Sequence, residues 1–140
     1  METIRWSPEM SLGVPALDVA HQEFLQDLIQ LDSIADEQFG PAFHALVAKI
    51  EADFHEEEEM MEDLDYPGIR AHCEQHARVL SALHHIEPRV MEGDIALGRD
   101  AIGLLPQWFT LHLATMDTAL AFAAELDSEE RGKVPGTARQ

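Results

Sequence analysis

Cysteine, basic side chains and long apolar runs are all scarce in this chain of 140 residues, and each scarcity excludes a class of protein. Cys73 is the only cysteine, so an internal disulfide is excluded and a reducing compartment is favoured. Nine Lys and Arg against 27 Asp and Glu give a net charge of −18, which argues against nucleic acid and anionic membranes as partners. Without a long apolar run or a signal-like start, we expect a cytoplasmic protein.

Helical periodicity dominates the pattern of apolar residues along the chain. The first half of the chain divides into an N-terminal arm and two helices. Residues 1–17 contain two prolines and a glycine and are predicted to form an irregular N-terminal arm. A first helix is predicted from an N-cap at Asp18 to about Asp36. The Gly-Pro break predicts that a second helix begins at Pro41 and ends before the turn that starts at Asp65.

The second half of the chain predicts two further helices. One runs from Ile69 to about Glu87, where Pro88 ends or kinks it. The other spans roughly Arg99–Leu126, and residues 127–140 are predicted to be a polar, frayed tail. Short connections between four helices predict an all-α fold, an antiparallel up-down-up-down four-helix bundle, in a single domain over residues 1–126.

Histidine is the unusually frequent residue, with eight copies. His72 and His76 are four residues apart on one helix face, the usual spacing for offering two imidazoles to one metal ion. On the fourth helix, His112 and Asp117 lie about 140° apart on an ideal helix, which suits two neighbouring points in the core. His21 lies on the buried edge of the first helix. Because a buried imidazole without a partner is costly, three helices that aim imidazoles inward predict a shared partner for them. From spacing alone, His72 and His76 are the pair for which a metal ion and a hydrogen-bonded core are equally good interpretations.

The second helix offers two alternative pairs of ligands. Its apolar stripe places Asp53 and Glu57 on the inward edge, whereas His55 continues the polar face. The pair His55 and Glu59 also has a ligand-like spacing, but turning it inward would expose Ile50 and other residues of the stripe. Periodicity therefore favours Asp53 and Glu57. The remaining acidic residues of this segment, Glu58 included, are predicted to form a solvated face, and His44, His84 and His85 are predicted to be surface residues.

Several spaced motifs between Trp6 and Asp117 together resemble the bacterial hemerythrins. They are Asp18-Val19-Ala20-His21-Gln22, Phe54-x-x-Glu57-Glu58-x-x-Met61-x-x-x-x-Tyr66-Pro67, His72-x-x-x-His76 and Trp108-x-x-x-His112-x-x-x-x-Asp117. The spaced set is far more specific than any single motif. The resemblance implies a four-helix bundle that holds a non-haem di-iron centre and binds O2.

The resemblance also implies a role for individual residues. His72, His76 and His112 would hold one iron ion, and His21 with a histidine of the second helix would hold the other, which binds O2. Glu57 and Asp117 would bridge the two ions (Fe2+ or Fe3+) beside an oxo or hydroxo group. Carboxylates suit this position because each offers two oxygens, and imidazole suits iron, although such a ligand set does not by itself separate iron from manganese.

This chain departs from the family pattern at the histidine of the second helix. Aligned without gaps from Tyr66-Pro67, that position holds Asp53; a shift of two residues would instead make His55 and Glu59 the ligands. We favour Asp53, because the shift loses the matches at Phe54 and its neighbours. An anionic oxygen donor would favour ferric over ferrous iron. If Asp53 reaches the ion, we therefore expect a lower potential and faster autoxidation. If its shorter side chain does not reach, water or an exogenous anion would take the position, and in both cases we expect less durable O2 binding.

Three classes of function follow from these residues. The first is a module that binds, stores or senses O2, with Trp108 shielding the site. Leu25, Leu113 and Met116 are candidates either for the pocket lining or for the plain core. The second is a di-iron redox enzyme acting on peroxide or nitric oxide, which the additional carboxylate favours. The third, a metal-free helical interaction protein, is disfavoured because it would bury several carboxylates and imidazoles without compensation. A signalling role would require a protein partner, which the sequence does not reveal.

Overall fold

The computed structural model describes residues 4–133 and shows an all-helical four-helix bundle, as predicted. The helices are α1 (Pro15–Ser33), α2 (Asp36–Asp63), α3 (Ile69–Met91), α4 (Ile95–His112) and α5 (Thr118–Lys133). A π-helical turn, Leu113–Asp117, joins α4 to α5, so that these three segments form the fourth arm of the bundle. Each arm packs against its sequence neighbours, and α4 closes the bundle against α1. No helix within residues 4–133 is both long and apolar enough to cross a bilayer.

The N-terminal arm packs on the bundle as far as the structure describes it, and its residues 1–3 lie outside the described part. The predicted N-cap at Asp18 is wrong, because α1 begins three residues earlier with Pro15 in its first turn. The Asp18 carboxylate instead accepts hydrogen bonds from the Leu12 backbone N–H (2.9 Å) and the Ser11 hydroxyl (2.6 Å). Asp18, which was expected to start α1, therefore holds the N-terminal arm against this helix by hydrogen bonds.

Two helices also extend through prolines that were predicted to bound them. Helix α2 begins at Asp36 and contains Pro41, and α3 continues past Pro88 to Met91. The flanking residues Phe39 and Val90 are almost completely buried, so packing offsets the hydrogen bond lost at each proline.

The fourth arm starts and ends beyond its predicted limits. It begins at Ile95, because the Asp94 carboxylate caps the Leu97 backbone N–H at 3.2 Å. It continues to Lys133, so the first residues of the predicted frayed tail are helical, whereas residues 134–140 of that tail lie outside the described part.

The apolar core divides into one large cluster and two smaller ones. The large cluster fills the end of the bundle that contains Leu28, Phe39 and Phe43. The smaller clusters are centred on Met61 and on Phe109, and residues of the N-terminal arm, including Trp6, pack against the latter. Polar side chains occupy the interior next to these two smaller clusters. All four arms of the bundle contribute to this polar group.

Candidate metal centre

Six polar or charged side chains are buried within residues 4–133, and they form one cluster. All four arms of the bundle contribute. The six residues are His21 from α1, Glu57 from α2, His72 and His76 from α3, His112 from α4 and Asp117 from the π-helical turn. Six of the seven site residues predicted from the sequence are therefore brought together.

The larger group of donor atoms surrounds one oxygen of Glu57. Glu57 Oε1 lies 2.5 Å from His72 Nε2 and 3.2 Å from His76 Nε2. It lies 3.9 Å from His112 Nε2. The donor atoms of these four residues all fall within 4.8 Å of one another, a spacing that can accommodate a single metal ion.

A smaller group shares one acidic residue, Glu57, with the larger one. It consists of His21, Glu57 and Asp117, again with donor atoms within 4.8 Å of one another. Asp117 Oδ2 lies 3.2 Å from His21 Nε2, whereas Asp117 Oδ1 lies 3.2 Å from both His72 Nε2 and His112 Nε2. The two oxygens of one carboxylate thus face two different sets of imidazoles.

The π-helical turn explains how His112 and Asp117 come so close. Five residues along an α-helix leave two side chains about 140° apart. A π-helical turn has more residues per turn, because its hydrogen bonds join residues five apart, and it brings such a pair onto nearly the same face. The Thr118 hydroxyl supports this turn by donating to the Leu113 carbonyl at 2.7 Å. The sequence predicted two neighbouring points in the core from a regular helix and did not predict this turn.

Many donor atoms of the cluster have no hydrogen-bond partner among the described residues. Leaving a buried polar atom unpaired costs about 1–3 kcal/mol. A metal ion bound by these lone pairs would remove that cost, so the residues present fit a mixed histidine and carboxylate metal centre. The unpaired atoms include the Nε2 atoms of His72, His76 and His112, Oε1 of Glu57, and both carboxylate oxygens of Asp117.

In the metal-free protein, protons on the imidazoles compensate the two carboxylates. Burial alone raises the pKa of Glu57, but the imidazoles of His112 and His72 outweigh it and hold that pKa at about 2. The pKa of Asp117 is likewise below its usual range, because neighbouring imidazoles outweigh its burial. Conversely, burial lowers the pKa of His72, but the two carboxylates raise it to about 9. Both carboxylates are therefore ionised at neutral pH, as metal ligands must be.

A second layer of side chains orients two of the imidazoles. Glu58 Oε2 accepts from His76 Nδ1 at 2.9 Å, and Gln75 Oε1 accepts from His112 Nδ1 at 2.9 Å. These contacts leave Nε2 of each imidazole free to face the cluster. The prediction that Glu58 belongs to a solvated face is wrong, because it is only partly exposed and faces α3. Helical periodicity gave no signal for either partner.

Aromatic rings cover the same two imidazoles. Phe54 stacks on His76 with ring centroids 3.8 Å apart, and Trp108 stacks on His112 at 4.5 Å. The Trp108 ring thus lies where shielding of the site was predicted.

Asp53 is the predicted site residue that lies outside both groups of donor atoms. It is half-buried and lines the same small cavity as His21 and Glu57. Burial is the main cause that raises the pKa of Asp53 to about 6, against the opposing effect of Lys49. The alternative pair faces outward: His55 and Glu59 form an exposed ion pair with each other at 2.7 Å.

The cavity beside the cluster holds about 30 Å3. Because a water molecule requires roughly 10–15 Å3 measured in this way, the space suits a diatomic molecule or two waters. Polar atoms line one side and apolar side chains, among them Phe24, Ile50 and Phe109, line the rest. Leu25, Leu113 and Met116 do not line this cavity. Of the two roles that the sequence left open for them, Leu25 and Leu113 have the core role.

Comparisons with known proteins agree with this geometry. The family model described as the hemerythrin HHE cation binding domain matches residues 12–123. A bacteriohemerythrin of Ralstonia nicotianae is 35% identical over 117 residues, which cover 84% of this chain and 85% of the relative. No solved structure matches the chain. The matched region contains every residue of the buried cluster.

Proposed function

Because this chain belongs to the hemerythrin family, which implies iron binding, we propose that it holds two iron ions and binds O2 as a carrier, store or sensor. When bound, the pair of ions, with an oxo or hydroxo bridge, would supply reversible redox chemistry toward O2. We assign the larger group of imidazoles to one ion and the His21 side to the other. The proposed ligands are His21, Asp53, Glu57, His72, His76, His112 and Asp117.

The position of Asp117 is the observation that carries the proposal of two ions. Its Oδ1 faces His72 and His112 at 3.2 Å, while its Oδ2 faces His21 at the same distance. A carboxylate that served a single ion would not need imidazoles beside both oxygens. Glu57 belongs to both groups of donor atoms, as a second bridging carboxylate would.

The cavity supports a small neutral ligand on the His21 side. Its volume of about 30 Å3 leaves space for a diatomic molecule but not for an organic substrate. Most of the side chains that line it are apolar, which suits a neutral ligand.

Asp53 distinguishes this chain from the family pattern, and we assign it to the His21 side of the centre. It lines the same cavity as His21, from α2, and this shared cavity supports the assignment. An anionic oxygen at this position would favour the ferric state. Durable O2 storage would then be less favoured than sensing.

The same residue favours one alternative function, a redox enzyme acting on peroxide or nitric oxide. Burial raises the pKa of Asp53 to about 6, so its carboxyl can exchange a proton with a ligand in the cavity near neutral pH. Reduction of peroxide consumes protons, whereas reversible O2 storage requires no catalytic acid.

Iron content and optical spectra test the main proposal. We expect two iron ions per chain and charge-transfer absorption that bleaches on anaerobic reduction and returns with O2. One ion per chain, or a spectrum that does not respond to O2, would contradict it. Iron-free protein after reconstitution with ferrous salt would instead support a metal-free interaction module.

Two substitutions at position 53 separate the alternatives. Asp53→His should lengthen the lifetime of the oxygenated state, whereas Asp53→Asn removes the negative charge together with the exchangeable proton and keeps an oxygen at this position. If the protein is an enzyme, purified iron-loaded protein should turn over peroxide or nitric oxide, and Asp53→Asn should slow that turnover without loss of iron. An unchanged oxygenated lifetime in Asp53→His would refute the ligand role of Asp53.

A further inference from the structure

A second group of imidazoles and carboxylates lies on the outer surface where α2 meets α3. Glu87 Oε1 contacts His44 Nδ1, and Glu87 Oε2 lies 3.6 Å from His84 Nδ1. The other nitrogen of that ring, His84 Nε2, lies 2.6 Å from Glu51 Oε1. The four side chains, which we call the outer cluster, share no residue with the buried centre.

Helix geometry places the outer cluster on facing surfaces of two antiparallel helices. His44 and Glu51 are seven residues apart, about two turns along α2, while His84 and Glu87 are three residues apart on α3. His44, His84 and Glu87 also line a surface hollow of about 440 Å3, which Met91 borders. The hollow is wide enough for an ion that keeps bound waters.

The charge of the outer cluster favours a cation. Two carboxylates face two imidazoles, and within residues 4–133 neither Glu51 nor Glu87 forms an ion pair with lysine or arginine. The Glu87 side chain is only 14% exposed, so its charge is poorly solvated. The two carboxylates therefore lack a permanently charged basic partner among these residues.

We propose that the outer cluster binds one divalent transition-metal ion of the Zn2+ type. Imidazole nitrogen and carboxylate oxygen are the ligands that Zn2+ takes in proteins, and both types are present on each helix. The Glu87 carboxylate lies between the two histidines with one oxygen facing each, so His44, His84 and Glu87 are the proposed ligands. Glu51 faces the opposite nitrogen of His84 and would orient that ring. Such an ion would link α2 to α3 and would act independently of the iron centre.

Zinc titration of the iron-loaded protein tests this site, because the buried centre is then already filled. Calorimetry should show one Zn2+ per chain. The double variant His44→Gln/His84→Gln should weaken binding at least about tenfold, which corresponds to about 1.4 kcal/mol. His85→Gln is the matched control: His85 is exposed beside His84, lines a different hollow and forms no ion pair within residues 4–133.

A thermal readout complements the titration. Zn2+ should raise the unfolding temperature of the wild type and of His85→Gln, but not that of the double variant, since a ligand that binds only the folded state stabilises it. Absence of Zn2+ binding by the wild type, or equal binding by the double variant, would overturn the proposal. Neither outcome depends on whether the buried centre binds O2.

Discussion

Trp108 separates the buried cavity from a large hollow on the surface, and its removal should connect the two. The outer hollow, about 600 Å3 between α3 and α4, is lined by Trp108, Leu105, Val79 and His112, which also line the inner cavity of about 30 Å3. The indole ring stacks on His112 with ring planes inclined by 16°. Trp108→Ala would therefore open a path from solvent to the buried centre.

The expected loss of stability is moderate, because Trp108 is half-buried. Replacing a fully buried Trp with Ala costs about 3–5 kcal/mol, so we expect about 2 kcal/mol here. For a domain of this size that change lowers the unfolding temperature by roughly 5–8 °C, which leaves the variant folded at room temperature. Loss of shielding can then be measured separately from unfolding.

Stopped-flow mixing of the oxidised, iron-loaded protein with azide provides the assay. We expect the rate of azide binding to Trp108→Ala to rise at least about tenfold, as for a barrier lowered by about 1.4 kcal/mol. Trp108→Phe, which keeps an aromatic ring over His112, is the control and should retain most of the wild-type barrier. Equal rates in the wild type and in Trp108→Ala would show that ligands reach the centre by another route.

Three further outcomes follow from the structure. Glu58→Gln should weaken iron binding about 10–100-fold in a chelator competition, because its imidazole partner loses an anionic acceptor, whereas the exposed control Glu59→Gln should not. Gly98→Ala should destabilise the protein by about 1–3 kcal/mol in urea, because its Cβ would lie 2.5 Å from a buried phenylalanine ring, while Gly103→Ala, which meets open space, should stabilise it. In metal-free protein the pKa of Glu57 is about 2 against an ordinary 4.5, so its stabilising charge is present above pH 4.5 and lost as pH falls towards 2. Urea unfolding between these pH values should show a larger loss in the wild type than in Glu57→Gln, in which the lowered pKa of Asp117 still contributes.

The sequence predicted the bundle and the inward face of α2 because both depend on local periodicity. The stripe through Ile50 and Phe54 correctly placed Glu57 inside and His55 outside. The helix limits at Pro41 and Pro88 were wrong because local propensity takes no account of burial between helices.

Contacts between helices were the other feature that could not be predicted from the sequence. Glu58 and Gln75 act on imidazoles of α3 and α4, and their role depends on how adjacent helices are rotated about their axes. A solvated acidic face and a face directed at a neighbouring helix have the same pattern along one helix. Only the packing of α2 on α3 separates Glu58 from its exposed neighbour Glu59.

The π-helical turn and the buried centre depend on each other: the turn positions Asp117, and the contacts of Asp117 stabilise the turn. A regular α-helix through Leu113–Asp117 would rotate Asp117 away from His112 by about 140° and leave only one of them facing the cluster. π-helical hydrogen bonds are rare and tend to occur at functional sites, because side-chain interactions must stabilise them. Here Asp117 lies within 3.2 Å of imidazoles from three arms, and those contacts stabilise the π-helical conformation. Since a bound metal would strengthen the same contacts, metal loading should stabilise the π-helical turn and the arm that contains it together.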